Sequence, residues 1–291
     1  MKLKKLILSA LALLAFATYS SAQDKEFGVF LGTTEYQGDL SKNAVDFKEI
    51  KPGFGILGRY YFGPRFDVQG GLNYGFIGGN DANNYTGQNM SGDAKDLVIR
   101  NLNFHSNIFE ISARAELNLL PYISNSKRYK FAPYLFAGVA LYHFNPKATY
   151  DGVTEALQPL HTEGEGLPGG PANYSLWQFA IPYGIGVKYS LGNFWNIGLE
   201  LGERKLFTDY LDDVSGKYYN GPSTATPWIV NNNGTLINFA NPYVYSQLAG
   251  QVKTNPFTPG AQRGDSGKDD TYLFVGFTIT KTIRNFPCTN F

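Results

Sequence analysis

Trp195-Asn196-Ile197-Gly198-Leu199-Glu200-Leu201-Gly202 sets a large apolar residue at every odd position and Asn, Gly or Glu at every even one. A period of two belongs to an extended strand whose faces meet unlike surroundings. A few residues later the alternation is gone, and Phe207-Thr208-Asp209-Tyr210-Leu211-Asp212-Asp213-Val214-Ser215-Gly216 reads as a polar, aromatic loop. A wall ends there and a rim begins.

Working outward, the same period recurs at 27–36, 54–62, 66–77, 109–119, 177–189 and 272–283. In 66–77, Phe66, Val68, Leu72, Tyr74 and Phe76 oppose Asp67, Gln69, Gly71, Asn73 and Gly75. Segment 131–144 is apolar on both faces, so periodicity does not orient it. The connections also alternate: 63–65, 120–130 and 190–194 are short, and the other four are long, the last running over about 207–271. Short turns at one end and long loops at the other are the outer-membrane pattern, and tilted strands of this length cross its apolar core. The expected fold is therefore all-β, an eight-stranded antiparallel transmembrane β-barrel with short periplasmic turns and long extracellular loops. A soluble ligand-binding barrel with the apolar set inward is the structural rival. Against it stand the loop asymmetry and the aromatic residues at strand ends, Tyr60, Phe62, Tyr189, Phe194 and Trp195, which suit an interfacial girdle.

Composition agrees with this reading. The 291 residues include 33 Gly, 20 Tyr and 22 Phe, and beyond the first residues no apolar run is long enough for a membrane helix. Residues 1–22 read as a secretory signal: Lys2, Lys4 and Lys5, then the apolar stretch 6–17, then Ser20-Ser21-Ala22 before Gln23. The barrel domain is expected over 23–291. Loss of those three lysines turns 25 basic and 24 acidic residues into 22 and 24, a balance that excludes a nucleic-acid partner. Cys288 is the single cysteine, which leaves no internal disulfide and no lipidation site at the cleavage point.

With the apolar set turned to lipid, Arg59, Asp67, Glu110, Arg114, Glu116, Lys188, Glu200 and Arg204 gather in the lumen. An eight-stranded barrel is narrow enough for side chains to fill, so four acids and four bases are expected to form a paired plug rather than a conduit. A selective pore lined by these charges is the alternative. Catalysis has little support. Of His105, His143 and His161 only His143 is expected on a strand, the others in or beside loops, and adjacent strand residues point to opposite faces, so His105 and Ser106 cannot pair as base and nucleophile. Asp209, Asp212 and Asp213, like Glu163 and Glu165, lack the spacing of a calcium loop and read as solvated surface. No metal or cofactor is expected. In the long last loop Asn231-Asn232-Asn233-Gly234 and Asn241-Pro242 mark turns.

Several loops resemble the PorG family. They are Glu35-Tyr36-Gln37-Gly38-Asp39-Leu40; Leu157-Gln158-Pro159-Leu160 with Thr162-Glu163-Gly164-Glu165-Gly166-Leu167; and the stretch 207–216 around Asp209, Tyr210, Asp212 and Asp213. Tyr134-Leu135-Phe136-Ala137-Gly138 and Phe144-Asn145-Pro146-Lys147-Ala148 fit as well, in the family's order, whereas about 218–270 matches no motif. The resemblance implies an outer-membrane barrel component of the type IX secretion system, which exports folded cargo bearing a C-terminal signal. In that machine the PorG-like barrel tethers a periplasmic ring, built from a lipoprotein and its partner, to the outer membrane.

A ring in the periplasm has to be met at the short-turn end, where Arg65, Lys127, Arg128, Lys130, Lys281 and Arg284 make a basic rim. The longest of those turns, 121–130, is the expected docking surface, through Lys127, Arg128 and Lys130 together with Tyr122 or Tyr129. The bland reading of the same residues is a rim facing lipid phosphate or water. The motif-bearing loops lie at the opposite end, where they either touch another outer-membrane protein or cargo, or fold over as a cap. The expected function is thus a non-enzymatic structural part of protein secretion, with outer-membrane lipids and the ring proteins as partners. The alternative is a small-solute or lipid-handling barrel.

Overall fold

The computed structural model describes residues 24–41, 48–84, 100–221, 228–230, 236–240 and 258–283. The candidate signal at 1–22, the turns at Asn231 to Gly234 and Asn241-Pro242, and Arg284 and Cys288 lie outside the described residues.

Among the described residues twelve strands follow in chain order: β1 (Lys25–Gln37), β2 (Lys51–Tyr61), β3 (Phe66–Asn80), β4 (Asn103–Asn118), β5 (Phe131–His143), β6 (Lys147–Tyr150), β7 (Val153–Ala156), β8 (Trp177–Gly192), β9 (Trp195–Lys205), β10 (Trp228–Val230), β11 (Leu236–Asn238) and β12 (Thr271–Ile283). Eight of them, β1, β2, β3, β4, β5, β8, β9 and β12, pair antiparallel with their neighbours in that order. The ring closes where β1 meets β12, from Lys25↔Ile283 to Gln37↔Thr271. A closed ring leaves no unpaired edge, which a sheet in hydrocarbon requires. The hairpin β6–β7 stands on the extracellular end of β4 through His105↔Lys147, and β10 pairs with β11 within the long loop.

The rival soluble barrel is excluded by which face is exposed. Phe27, Phe179 and Phe277 are 55%, 69% and 63% exposed, whereas Arg59, Glu110 and Arg204 are buried. An apolar band of that kind around a ring of strands belongs in lipid. Among the described residues no helix is long and apolar enough to cross a membrane, and the crossing falls to strands.

β5 receives the orientation that periodicity withholds. Ala132, Tyr134, Phe136, Ala140 and Tyr142 face inward, and Phe131, Leu135 and Val139 face out. The inward rings are apolar in composition but meet cations: the Arg114 guanidinium lies 4.3 Å from the Phe136 ring, and Lys188 Nζ lies 4.5 Å from that of Tyr134. A ring face is attracted to such a charge, so two aromatics occupy what is electrostatically a polar face.

At the seam Gly32 faces Gly276 in register. A Cβ on Gly32 would lie 2.2 Å from Val275 O and 2.6 Å from Gly276 Cα, and one on Gly276 would lie 2.9 Å from the Phe30 ring. The missing side chains let Phe30 and Phe274 turn into the lumen, with ring centroids 5.8 Å apart. Gly32→Val is therefore expected to open the seam and cost about 1–3 kcal/mol, measured as a lower urea midpoint for loss of heat-modifiable gel migration. An unchanged midpoint would show that the seam relaxes freely.

Candidate functional site: a sealed lumen beneath a loop cap

The eight inward charges anticipated from the sequence meet in the lumen. Glu116 is the hub, 3.0 Å from Arg59 Nε, 2.7 Å from Lys188 Nζ and 3.6 Å from an Arg114 nitrogen. Lys188 also donates to Asp67 (2.8 Å), Arg114 to Glu200 (2.8 Å), and Arg204 Nε to Glu110 (2.9 Å). Neutral donors complete the carboxylates: Tyr134 on Glu200 (3.0 Å), Tyr272 on Glu110 (3.0 Å) and Asn73 on Glu110 (2.8 Å). Between the tiers a cavity of ≈ 10 Å³, lined by Arg114, Glu200, Arg204, Phe30 and Phe274 among others, has room for about one water.

A ninth charge was not legible because the first strand was expected from 27. β1 starts at Lys25, and period two then carries Glu26 inward. It accepts hydrogen bonds from Arg59 (3.3 Å), Asn196 (3.0 Å), Thr280 (3.1 Å) and Thr282 (3.2 Å) near the periplasmic mouth. The long periplasmic turn closes that mouth. Tyr122 and Ser124 both donate to Asn196 Oδ1, at 2.8 and 2.9 Å. Tyr122 is thus not part of a docking surface: it is 2% exposed, because its hydroxyl is drawn inward to the Asn196 amide. Lys127, Arg128 and Lys130 remain exposed, with Tyr129 half-buried. Arg128 lies over the Tyr129 ring (5.3 Å) and Lys130 over that of Tyr189 (5.2 Å).

At the other end the family-motif loops fold over the barrel and touch one another. The Tyr36 hydroxyl sits between the carboxylates of Asp212 and Asp270, 3.3 Å from the latter. A Cβ on Gly38 would collide with both Tyr36 and Asp270. Glu163 accepts from the amides of Ser215 (2.9 Å) and Gly216 (2.8 Å), from Arg263 (3.1 Å) and from Tyr210 (3.4 Å). Asp213 accepts from Tyr174 (2.7 Å), and Asp39 from the Asp265 amide (2.9 Å). Gly164 (φ 81°) and Gly166 (φ 74°) hold the left-handed turns that present Glu163 and Glu165. Tyr210 stacks on Tyr174 at 4.9 Å.

These acids are not solvated surface. Asp212, Asp213, Glu163 and Glu165 are at most 3% exposed and Asp209 9%. The expectation failed because their partners lie far away in the chain. Arg263 and Asp270 come from the stretch without a recognisable motif, and Arg100, which forks Asp81 (2.7 and 2.8 Å), also donates to the Arg263 and Asp39 carbonyls. The return segment binds back through Asp270 N to Thr208 O (3.1 Å) and Arg263 N to Gly216 O (2.8 Å). Among the described residues no group of three or more His, Cys, Asp or Glu is arranged to hold a metal ion. His105 lies on a strand and not in a loop, because β4 begins at Asn103, six residues before the alternation is clear; it is exposed on the outer face while Ser106 is buried, and His143 packs on Trp177 (5.0 Å).

Residues 4–220 match the family described as "Domain of unknown function (DUF6089)". The chain belongs to the DUF6089 family. The match ends at the edge of the segment without a recognised motif, so the cap pairs DUF6089 motif loops with Arg263 and Asp270 from beyond it. Nothing among curated proteins matches the chain. Among solved structures it is similar to Ail of Yersinia pestis (11% identity, 91% of this chain and 99% of that one, TM-score 0.37). It is also similar to Neisserial surface protein A (9%, 90% and 99%, 0.38) and to OprG of Pseudomonas aeruginosa (11%, 90% and 96%, 0.36). The fold itself rests on the strand ring and lipid-facing band of this DUF6089 chain, which make it an integral barrel of the Gram-negative outer membrane.

Two outcomes follow for this DUF6089 barrel. In planar bilayers it is expected to give no steady current, and a reproducible open level would contradict the sealed lumen. In the cap, burial first pushes Asp213 up to about 6 against the opposing Arg263 charge. Burial, then acidic neighbours, push Asp209 and Glu165 up to about 8 and raise Asp212 and Asp270 well above the ordinary carboxylate range. Acids raised in the folded state stabilise it fully below their unfolded value near 4, and the contribution is lost as pH rises through 6 to 8. Amides of 207–216 are therefore expected to be better protected from hydrogen exchange at pH 5 than at pH 9, after correction for intrinsic rates. Asp209→Asn is expected to flatten that dependence, and equal protection in the wild type at both pH values would contradict a proton-held cap.

Proposed function

We propose that this protein is a non-enzymatic structural component of type IX protein secretion that anchors a periplasmic ring to the outer membrane. The observation that carries the reading is the filled lumen: a barrel whose interior is ion-paired from the periplasmic mouth to Tyr272 works through its ends. Support for secretion comes from the PorG-like loop motifs. Their side chains hold one another in a cap, so the motifs serve the extracellular end and the ring is met by the periplasmic turn. There Lys127, Arg128 and Lys130 project from a turn whose base is pinned by Tyr122 and Ser124. A charged edge on a fixed base costs little ordering entropy on docking.

The lipoprotein and its partner are accordingly expected to present an acidic surface to this edge. Simultaneous Lys127→Glu, Arg128→Glu and Lys130→Glu should leave heat-modifiable migration and outer-membrane localisation intact. The variant should lower ring proteins recovered with the tagged barrel in mild detergent by about tenfold or more, and secretion of cargo with them. Full recovery and secretion in a correctly inserted variant would remove the turn as the docking surface. Absence of ring proteins from the wild-type preparation, with the ring intact in the membrane, would remove the tether itself.

A further inference from the structure

The lipid-facing side of β3, β4 and β5 carries a groove that none of the foregoing uses. Going up β4, the outward residues Leu117, Ala115, Ala113, Ile111 and Phe109 are apolar, and the next two, Asn107 and His105, are polar. Phe109 pairs with Tyr74 on β3 and with His143 on β5, so the change of character runs across three strands at one level. With exposed Leu119 just below β4 the apolar run reaches Phe109 over roughly 33 Å of extended chain, which at the tilt of such strands rises roughly 25 Å, close to the height of an outer-membrane apolar band. The groove therefore lies where acyl chains give way to headgroups in the outer leaflet. It measures ≈ 380 Å³, with Tyr74 and Phe109 toward the apolar band and His105, Asn107, His143 and Lys147 toward the rim.

Charge at this level is net positive. Lys147 opens β6 directly opposite His105, is exposed, and has no carboxylate partner among the described residues. Lys51 also stands by Gly78, the β3 partner of His105, and is itself paired to Glu49 at 3.2 Å. On the opposite wall the corresponding cation, Lys205, is paired with Asp269 at 3.7 Å, and Glu203 stands beside Tyr183. A free ammonium above an aromatic shelf complements an amphiphile whose anionic head is joined to acyl chains. We propose that this groove binds the phosphorylated sugar headgroup of an outer-leaflet glycolipid, its phosphate on Lys147 and His105 and its first acyl carbons on Phe109 and Tyr74.

Native mass spectrometry of the full-length protein in detergent, titrated with bis-phosphorylated lipid A and with the dephosphorylated lipid, tests this. The wild type is expected to prefer the phosphorylated form by on the order of tenfold. The double variant Lys147→Glu with His105→Ala should lose the preference while keeping heat-modifiable migration, and Lys205→Glu should keep it. Equal binding of the two lipids by the wild type would overturn the site, as would equal loss in Lys205→Glu, which would signify surface charge alone. Inorganic phosphate separates the two sources of the anion. Failure to displace the lipid at millimolar concentration supports a headgroup site, and full displacement would show a free-phosphate site instead.

Discussion

Glu116 meets three cations inside a wall of eight strands, and the rest of the barrel is arranged around keeping that meeting intact. A charge taken out of water costs several kcal/mol unless partners replace its hydration. Removing one member of such a group strands the others, which is the expensive direction of change. The ladder positions of Arg59, Arg114 and Lys188 are consequently constrained by one carboxylate. A one-residue slip of any of these strands would turn its charge to lipid. The inward charges thus act as a register code that apolar side chains on the outer face could not supply, since lipid accepts any of them.

The two ends of the lumen are closed by different chemistry. At the periplasmic mouth neutral groups close the lumen in two steps: Tyr122 and Ser124 donate to Asn196, and Asn196, Thr280 and Thr282 donate to Glu26. At the extracellular end acids outnumber bases around Arg100 and Arg263, and burial raises several of them well above the ordinary carboxylate range. The pinned periplasmic end is consistent with the docking role proposed for its turn, and the acid-rich extracellular end makes the cap the pH-sensitive one.

The wall was legible because period two is a local property. Six of the eight barrel segments, and the direction of their faces, follow from nearest-neighbour alternation, and the opening stretch adds a seventh. β5 escaped because Tyr134 and Phe136 count as apolar by composition yet face Lys188 and Arg114 across the lumen. Glu26 escaped through a boundary two residues late. The cap was illegible for a different reason: Tyr36, Asp81, Glu163, Asp213, Arg263 and Asp270 are brought together by loop closure over as many as 234 positions, and no local pattern records it. The motif residues in those loops signalled that something was held there, but their acids looked solvated because Arg263, which pairs with Glu163 and Asp213, lies outside every motif.

The closing strand ties these parts into one event. β12 pairs Lys25 with Ile283 across nearly the whole chain, the most costly closure the fold contains. The same strand brings Thr280 and Thr282 to Glu26 at the mouth, Tyr272 to Glu110 in the lumen, and, immediately before it, Asp270 to Leu211 N in the cap. Until β12 arrives, Glu26 lacks the threonine donors it bonds at the mouth, and the loop carrying Arg263 has no fixed end. Partial barrels therefore carry charges that water has left and protein has not yet replaced, which penalises every open intermediate in lipid. Closure of the wall, sealing of the lumen and seating of the cap are favoured together, and the buried charges that give little net stability in the finished barrel make its assembly all-or-none.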